Sequence, residues 1–332
     1  MSLKTGGRTI GRRTFAAAAS STTVALLSRR ARAQGWPART LRIVVPVPPG
    51  GSTDIYARII AANLSERFGQ TVVVENRPSA GGIVGAGTVA RAEADGYTLL
   101  ACANSVLTVT PSIQKVDFDP LRDFAPVALI YESPLVFVGT NTFPPATIKE
   151  LIDFAKAKPG EVNLAYPGNG TTNHVAAALF NHMAGVDIVP VPYAGNAGVV
   201  NALLRGDVHM AIDSIPTSGP LIRDGKVRAL AVAGPRRVAM LPDVPTVAES
   251  GLPGYEAIFW NGVFAPPGTP QEIISRLNTE IQTILRQPGV IEQMRESGAE
   301  PGGGGPEVLA RRLAADYETW GQVIRTSGVR NE

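Results

Sequence analysis

The sequence predicts an α/β protein built from two lobes. Short apolar strands alternate with amphipathic helices, which is typical of sheets covered by helices. This alternation occurs once before about residue 126 and again after it. A chain of 332 residues is also long enough for about two domains. We therefore expect lobe 1 to comprise residues 35–137 and 258–332, and lobe 2 to comprise residues 138–257.

The predicted elements of lobe 1 begin with a β-branched strand that runs into a loop and a helix. This helix has Ile55, Ile59 and Leu64 near one face and stops at Gly69. Two glycines, at 81 and 82, mark a second junction between a loop and a helix. The strands are predicted at residues 41–46, 72–75, 97–103 and 258–264, and the later helices at 273–285 and 308–324. The order of the first elements predicts a parallel sheet.

Lobe 2 repeats this order with new apolar segments. Its strands are predicted at residues 135–138, 163–166, 188–192, 208–212 and 230–233, and its helices at 148–156, 174–183 and 199–204. The chain then crosses between the lobes twice, near residues 126–140 and near 253–262. Two crossings predict a hinge and leave a cleft between the lobes.

The beginning of the chain resembles an export signal. Residues 1–33 have a basic start with adjacent Arg12 and Arg13, an apolar middle, and Ala31 and Ala33 as a small-residue cleavage site. The apolar stretch is too short to span a bilayer, so cleavage after Ala33 is favoured over a membrane anchor. We expect an exported protein in the periplasm.

The charge distribution argues against a nucleic-acid partner. The whole chain has a formal net charge of +3, but seven of its 31 basic residues lie in residues 1–33, which contain no acid. The remaining residues carry 24 basic and 28 acidic side chains. The excess of positive charge is therefore a property of the leader, and the body lacks the basic surface that phosphate binding requires.

No motif indicates a metal, a cofactor or a catalytic residue. A single cysteine, Cys102, lies in an apolar strand and is interpreted as a core residue, and three scattered histidines have no metal-site spacing. A hydrolase could use Ser52 or Ser105 with His174 and Asp213. The sequence has no Gly-x-Ser-x-Gly elbow at a strand-to-helix turn, so an exported hydrolase of a small ester or amide is the alternative hypothesis.

Two glycine- and hydroxyl-rich loops, at residues 50–54 and 168–172, each lie between a strand and a helix. In open α/β sheets ligands bind beyond the carboxyl ends of the strands. Glycine permits a close approach of the backbone, and the amides at a helix start favour an anion. Neither loop contains Lys or Arg or matches a phosphate-loop motif, which favours a carboxylate held by neutral donors. The alternative is that the hydroxyls are only helix caps.

Eight segments in order resemble the tripartite tricarboxylate transporter receptors, also called Bug proteins. They are residues 45–54, 73–82, 94–100, 168–174, 191–195, 225–232, 241–246 and 251–255. The resemblance implies a fold like that of type II periplasmic binding proteins, with a hinge and an interlobe cleft. It also implies a monomeric receptor that closes on a small organic carboxylate and delivers it to a membrane transporter of one large and one small subunit. The resemblance does not identify the carboxylate or separate uptake from sensing.

The family's ligand-binding positions can be carried over residue by residue. In lobe 1 the resemblance implies Pro48, Gly51, Ser52, Thr53, Asp54, Asn104 and Ser105. In lobe 2 it implies Gly168, Asn169, Gly170, Thr171, Thr172, His174, Tyr193, Gly195 and Asp213. Between Tyr193 and Gly195 the family often has a basic or amide residue, whereas this chain has Ala194. A polar contact from that side chain is therefore not expected here.

Overall fold

The structure is a computed structural model that describes residues 35–327. The predicted export signal, residues 1–33, lies outside the described residues. Residues 35–38 belong to a first unit and form neither a helix nor a strand, and the chain from Arg39 onward forms a second, compact unit. Within residues 35–327, no helix combines the length and the apolar character needed to cross a bilayer.

The first part of the second unit alternates strands and helices as predicted. It comprises β1 (Leu41–Val45), α1 (Ser52–Phe68), β2 (Val72–Asn76), a 3-10 turn (Ala80–Gly82), α2 (Ile83–Ala90) and β3 (Thr98–Ala103). The α1 helix ends where Gly69 adopts a left-handed conformation with φ of 61°, as glycine readily does. Two short helices that were not predicted follow β3, namely α3 (Asn104–Thr108) and α4 (Thr110–Ile113).

The middle part begins with β4 (Ala125–Gly139), which is much longer than the predicted strand. It continues through α5 (Ile148–Ala157), β5 (Asn163–Tyr166), α6 (Thr172–Ala184), β6 (Val189–Pro192), α7 (Gly195–Arg205), β7 (Met210–Ser214), α8 (Ile215–Arg223) and β8 (Arg228–Val232). The α8 helix was not predicted, because Pro216 and Pro220 weaken the helical signal of its sequence. The last part comprises β9 (Ile258–Ala265), α9 (Gln271–Leu285), α10 (Pro288–Glu296), β10 (Glu300–Pro301) and α11 (Pro306–Ser327).

The strands form one mixed sheet with the order β2-β1-β3-β9-β4-β7-β5-β6, and β8 and β10 also pair with β4. The strands β1, β2 and β3 are parallel, and so are β5, β6 and β7. The expectation of parallel pairing is therefore met within each set. However, β9 lies between β3 and β4 and runs antiparallel to both of them. The α/β class predicted from the sequence is confirmed.

Two strand groups share the long β4. Residues 125–134 pair with β9, and residues 135–139 pair with β7 and β8. We call β1, β2, β3, β9 and residues 125–134 the first strand group, and β5–β8 with residues 135–139 the second strand group. The two groups therefore meet at residues 134 and 135 of β4, and the lobe limits and chain crossings proposed above stay predictions.

Each strand group has its own apolar core, and α11 contributes to both. Leu309 and Leu313, in the first half of α11, pack in a cluster with Trp260 and Phe264 of β9. Trp320 and Ile324, in its second half, pack in a different cluster that includes Phe137, Phe180 and Tyr255. The C-terminal helix therefore adds a third connection between the two groups, besides β4 and the segment before β9.

The turn before α11 makes a close backbone contact that allows a first prediction. The Gly302 amide donates to Ile130 O at 2.7 Å, and a Cβ at this glycine would lie 2.2 Å from Leu129 O. We expect Gly302→Ala to lower the free energy of unfolding by about 1–3 kcal/mol, because backbone must move to admit the methyl group. Gly303→Ala is the matched control, since a Cβ there meets nothing within 4 Å. Equal unfolding curves for the two variants in urea would contradict the described contact.

Candidate functional site

The first glycine-rich loop is held by Asp54. This carboxylate accepts hydrogen bonds from the Gly50 amide at 3.0 Å, from the Arg58 guanidinium at 3.0 Å and from Asn76 Nδ2 at 2.9 Å. Burial raises the pKa of Asp54, but the bonds from Arg58, Gly50 and Asn76 outweigh it and hold the pKa below its ordinary value. Asp54 is therefore a charged anchor that shapes the loop, and it neutralises the nearby Arg58.

The start of α1 offers backbone donors near this anchor. Gly51 is the N-cap residue, and within the described part of the chain no side chain caps the helix start. Gly51 and Pro48 are exposed, Ser52 is half-buried, and Thr53 is buried. The interpretation of Ser52 or Thr53 as the cap is therefore wrong for this helix. An anion placed here would meet amides that a helix start leaves without intrahelical partners.

The second loop is built differently, because its threonine does cap a helix. Thr171 Oγ1 accepts from the His174 amide at 3.3 Å and donates to Gly168 O at 2.7 Å. Gly168 and Gly170 have φ of 119° and 74°, a backbone conformation that favours glycine. The Tyr166 hydroxyl donates to Asn169 Oδ1 at 2.5 Å. Hydrogen bonds at both ends therefore order this loop before any ligand binds.

Asn104 joins this second loop to the first strand group. It is fully buried at the start of α3, directly after β3. Its Oδ1 accepts from Thr172 Oγ1 at 2.9 Å, and its Nδ2 donates to Ile258 O at 3.1 Å. The structure thus brings together two residues, Asn104 and Thr172, that lie 68 positions apart and were both implied by the resemblance. Ser105, the next residue, is also buried.

Two further polar residues, Tyr131 and Asn261, were missed by the sequence analysis. Asn261 Nδ2 donates to Tyr131 Oη at 2.9 Å, and the Tyr131 hydroxyl is hydrogen-bonded to the Ser52 side chain. In the sheet, Asn261 is the direct neighbour of Tyr131 on one side and of Ala103 on the other. One signal could have pointed to Asn261, because it is the single amide side chain in the otherwise apolar strand β9.

His174 supports the second loop from inside. Its ring stacks on Tyr166 with the centroids 4.6 Å apart, and its Nδ1 accepts from the Gly170 amide at 3.3 Å. Burial lowers the pKa of His174, so the ring is neutral near pH 7. The same residue lines a surface cavity of about 460 Å³ together with side chains from α6 and the end of α11.

Tyr193 and Gly195 lie beside the second loop. The Tyr193 amide donates to Tyr166 O at 2.9 Å, and a Cβ on Gly168 would lie 3.8 Å from Tyr193 O. Tyr193 is half-buried, whereas Gly195, the first residue of α7, is exposed. The end of β6 is therefore next to the loop that follows β5, as expected for adjacent parallel strands.

Asp213 is fully buried at the end of β7. Its carboxylate accepts from Asn196 Nδ2, from Ser218 Oγ at 2.6 Å and from the Ser214 amide. Burial raises the pKa of Asp213 to about 6 despite these hydrogen bonds. Because both oxygens already have protein partners at the starts of α7 and α8, the residue ties these two helices to the sheet.

These contacts do not bring together the residues that the hydrolase hypothesis requires. The partners of Asp213 are Asn196, Ser214 and Ser218, and His174 Nδ1 accepts from a backbone amide, so the two do not form an acid–base pair. Within residues 35–327 no group of three or more His, Cys, Asp or Glu side chains could hold a metal ion. Cys102 is fully buried, as predicted, and burial raises the pKa of its thiol.

Comparisons with known proteins identify a family and several similar receptors. The family model described as the tripartite tricarboxylate transporter family receptor matches residues 56–329. BugT of Bordetella pertussis is 38% identical over 303 residues, which cover 90% of this chain and 92% of BugT. Rpa4515 of R. palustris, solved with adipate, is 39% identical with a TM-score of 0.81, covering 89% of this chain and 99% of that one.

MatC from Rhodopseudomonas palustris, solved with bound malate, is a second similar structure. It is 34% identical with a TM-score of 0.79, covering 87% of this chain and 100% of MatC. BugD, described as a periplasmic binding protein, has the same TM-score of 0.79 at 34% identity. The expected likeness to periplasmic binding proteins is thus confirmed, and the chain belongs to the tripartite tricarboxylate transporter receptor family.

Proposed function

We propose that the protein is a periplasmic solute-binding receptor that captures a small carboxylate and delivers it to the large and small membrane subunits of a tripartite transporter. The observation that carries the proposal is the hydrogen bond between Asn104 and Thr172, which places the start of α6 against the first strand group. Family membership supports the same function, and the relatives Rpa4515 and MatC were solved with adipate and malate.

The ligand would be held by neutral donors. The start of α1 supplies backbone amides and the Ser52 hydroxyl, and the second loop supplies the amides around Gly168 and Gly170. Arg58, a cation beside the first loop, is paired with Asp54. Helix amides and hydroxyls suit a carboxylate, since each presents a partial positive charge without the cost of burying a full cation.

Capture would operate by closure of the two lobes. Contacts that a ligand makes with both loops exist only when the loops face each other, so the ligand shifts the population toward the closed form. A receptor of this kind needs no catalytic residue and no cofactor. We further propose that the protein acts as a monomer and that residues 1–33 direct its export and are then removed.

A small carboxylate should raise the melting temperature of the protein lacking residues 1–33. A ligand that binds only the native state stabilises it by RT ln(1 + [L]/Kd), about 2.7 kcal/mol at a concentration one hundred times Kd. Malate and adipate are the first probes, followed by a panel of mono- and dicarboxylates in a thermal shift assay. Methyl esters of the same acids serve as controls. A panel in which no acid raises the melting temperature would count against the proposal.

Asp54→Ala should weaken carboxylate binding at least about tenfold, because the Gly50 amide and Arg58 lose their common partner and the loop loses its shape. The matched control is Asp119→Ala, which removes another loop carboxylate that accepts from a nearby arginine and from backbone amides. Calorimetric titration of both variants with a ligand found in the panel gives the two affinities. Similar affinities in the two variants would contradict the role assigned to Asp54.

The carboxylate of Asp213 should make stability fall as the pH rises. Its pKa is about 6 in the native state and about 3.8 in the unfolded chain, so the native state binds more protons between these values. Its stabilising contribution is complete below pH 3.8 and is lost as the pH rises through 6. Between pH 5 and pH 7.5 we expect the wild type to lose about 1.4 kcal/mol relative to Asp213→Asn.

Urea unfolding at the two pH values measures this difference, with Asp187→Asn as the control for an exposed carboxylate. Parallel pH profiles for the wild type and Asp213→Asn would show that the carboxylate is not buried as described. A preserved ligand affinity in Asp213→Asn would assign the residue to the support of α7 and α8 rather than to direct ligand contact.

A further inference from the structure

Asn261 carries a buried oxygen that has no hydrogen-bond partner. The residue is fully buried in β9, and its Nδ2 donates to Tyr131 Oη. Its Oδ1 accepts no hydrogen bond from any group in the described chain, residues 35–327. A buried acceptor left unpaired costs about 1–3 kcal/mol. Such a group in a native protein requires an explanation.

The position of Asn261 connects it to the proposed ligand site. Its neighbour across the sheet is Ala103, the residue directly before Asn104. Its partner Tyr131 is hydrogen-bonded to Ser52 at the start of α1. The Asn261 amide is therefore linked through Tyr131 to Ser52, and it lies across the sheet from the residue before Asn104; Ser52 and Asn104 are both implied as ligand contacts. Gln282 and Trp320, which also have unpaired buried nitrogens, belong to helices that carry no predicted site residue.

The unpaired atom is an acceptor, whereas the groups expected to hold the carboxylate are donors. The amides and hydroxyls of the two loops can satisfy both carboxylate oxygens of any acid. A plain carboxylate has no hydrogen to give to Asn261 Oδ1, so binding such an acid would leave this oxygen unpaired. An acid with a hydroxyl or amino group beside its carboxylate could satisfy the loop donors and the acceptor together.

We propose that Asn261 is a specificity-determining residue, and that its Oδ1 accepts a hydrogen bond from a hydroxyl or amino group of the bound acid. The inference rests on the proposed function, since it assigns a chemical class to the same ligand. The protein would prefer 2-hydroxy or 2-amino acids over the corresponding unsubstituted acids. Sites that hydrogen-bond a polar group of a ligand discriminate strongly against analogues that lack it.

The test compares pairs of acids that differ only in one hydroxyl group. Malate with succinate, and 2-hydroxyglutarate with glutarate, are titrated calorimetrically into the wild type, Asn261→Leu and Asn63→Ala. In the wild type we expect the hydroxy acid of at least one pair to bind at least about tenfold more tightly. In Asn261→Leu, which replaces the amide by an apolar group of similar size, the two acids should bind about equally.

A control variant and the stability of Asn261→Leu distinguish a loss of ligand recognition from a loss of folding. Asn63 lies on α1 and donates only to its own helix, at Ile59 O, so Asn63→Ala should keep the preference. Asn261→Leu removes an unpaired acceptor but also the donor to Tyr131 Oη, and these two effects oppose each other, so its melting temperature without ligand should change little. The measurement on the wild type needs no variant, so equal affinities within both pairs would overturn the inference even if Asn261→Leu fails to fold.

Equal affinities within both pairs in the wild type would overturn the inference, as would a preference that survives in Asn261→Leu. Equal affinities would mean that another donor, such as an ordered water molecule, satisfies the oxygen whichever acid is bound. A surviving preference would mean that a residue other than Asn261 recognises the hydroxyl group. In both cases carboxylates still bind and the proposed function stands. If no carboxylate of the broader panel binds, the proposed function fails, and the assignment of Asn261 fails with it.

Discussion

The arrangement of the proposed site depends on one buried side chain, that of Asn104. The two polar atoms of its side-chain amide bind distant segments. Oδ1 accepts a hydrogen bond from Thr172 at the start of α6, and Nδ2 donates one to Ile258 at the start of β9. A buried amide with only one of these partners would leave a polar group unsatisfied, at a cost comparable to that of a lost core contact. The two strand groups therefore meet at a defined point, and this contact sets the position of the second glycine-rich loop.

The charged groups near the proposed site are paired with groups of the protein rather than presented to a ligand. Asp54 and Arg58 neutralise each other at the first loop, and the buried carboxylate of Asp213 is surrounded by donors at the starts of two helices. Each charged group fixes the backbone near a helix start. The backbone amides there carry partial positive charges, which an anion would contact. Neutral donors can hold an acid without a cation in the site, so only the carboxylate has to be desolvated on binding.

The C-terminal helix is a third connection between the two strand groups. The first half of α11 packs in the core of the first strand group and the second half packs in the core of the second. Trp260 Nε1 also donates to Asp316 at 2.7 Å, which fixes the middle of the helix to β9. Any opening of the proposed lobes must bend this helix, slide it, or carry its second half along with α6. In the proposed closure, the apolar contacts of Trp320 and Ile324 would therefore contribute to the energy difference between the open and closed forms.

The sequence by itself determined the local elements, the two glycine-rich loops and the resemblance to the receptor family. These features depend on residues close to each other in the chain, such as the periodicity of α1 or the glycines at 168 and 170 that a tight loop requires. The tertiary structure alone decided that β9 enters the sheet antiparallel, that Asp213 is enclosed, and that Tyr131 and Asn261 join Ser52. Tyr131 and Asn261 are 130 positions apart, and no local pattern specifies which distant strands pair or which polar groups that pairing buries together.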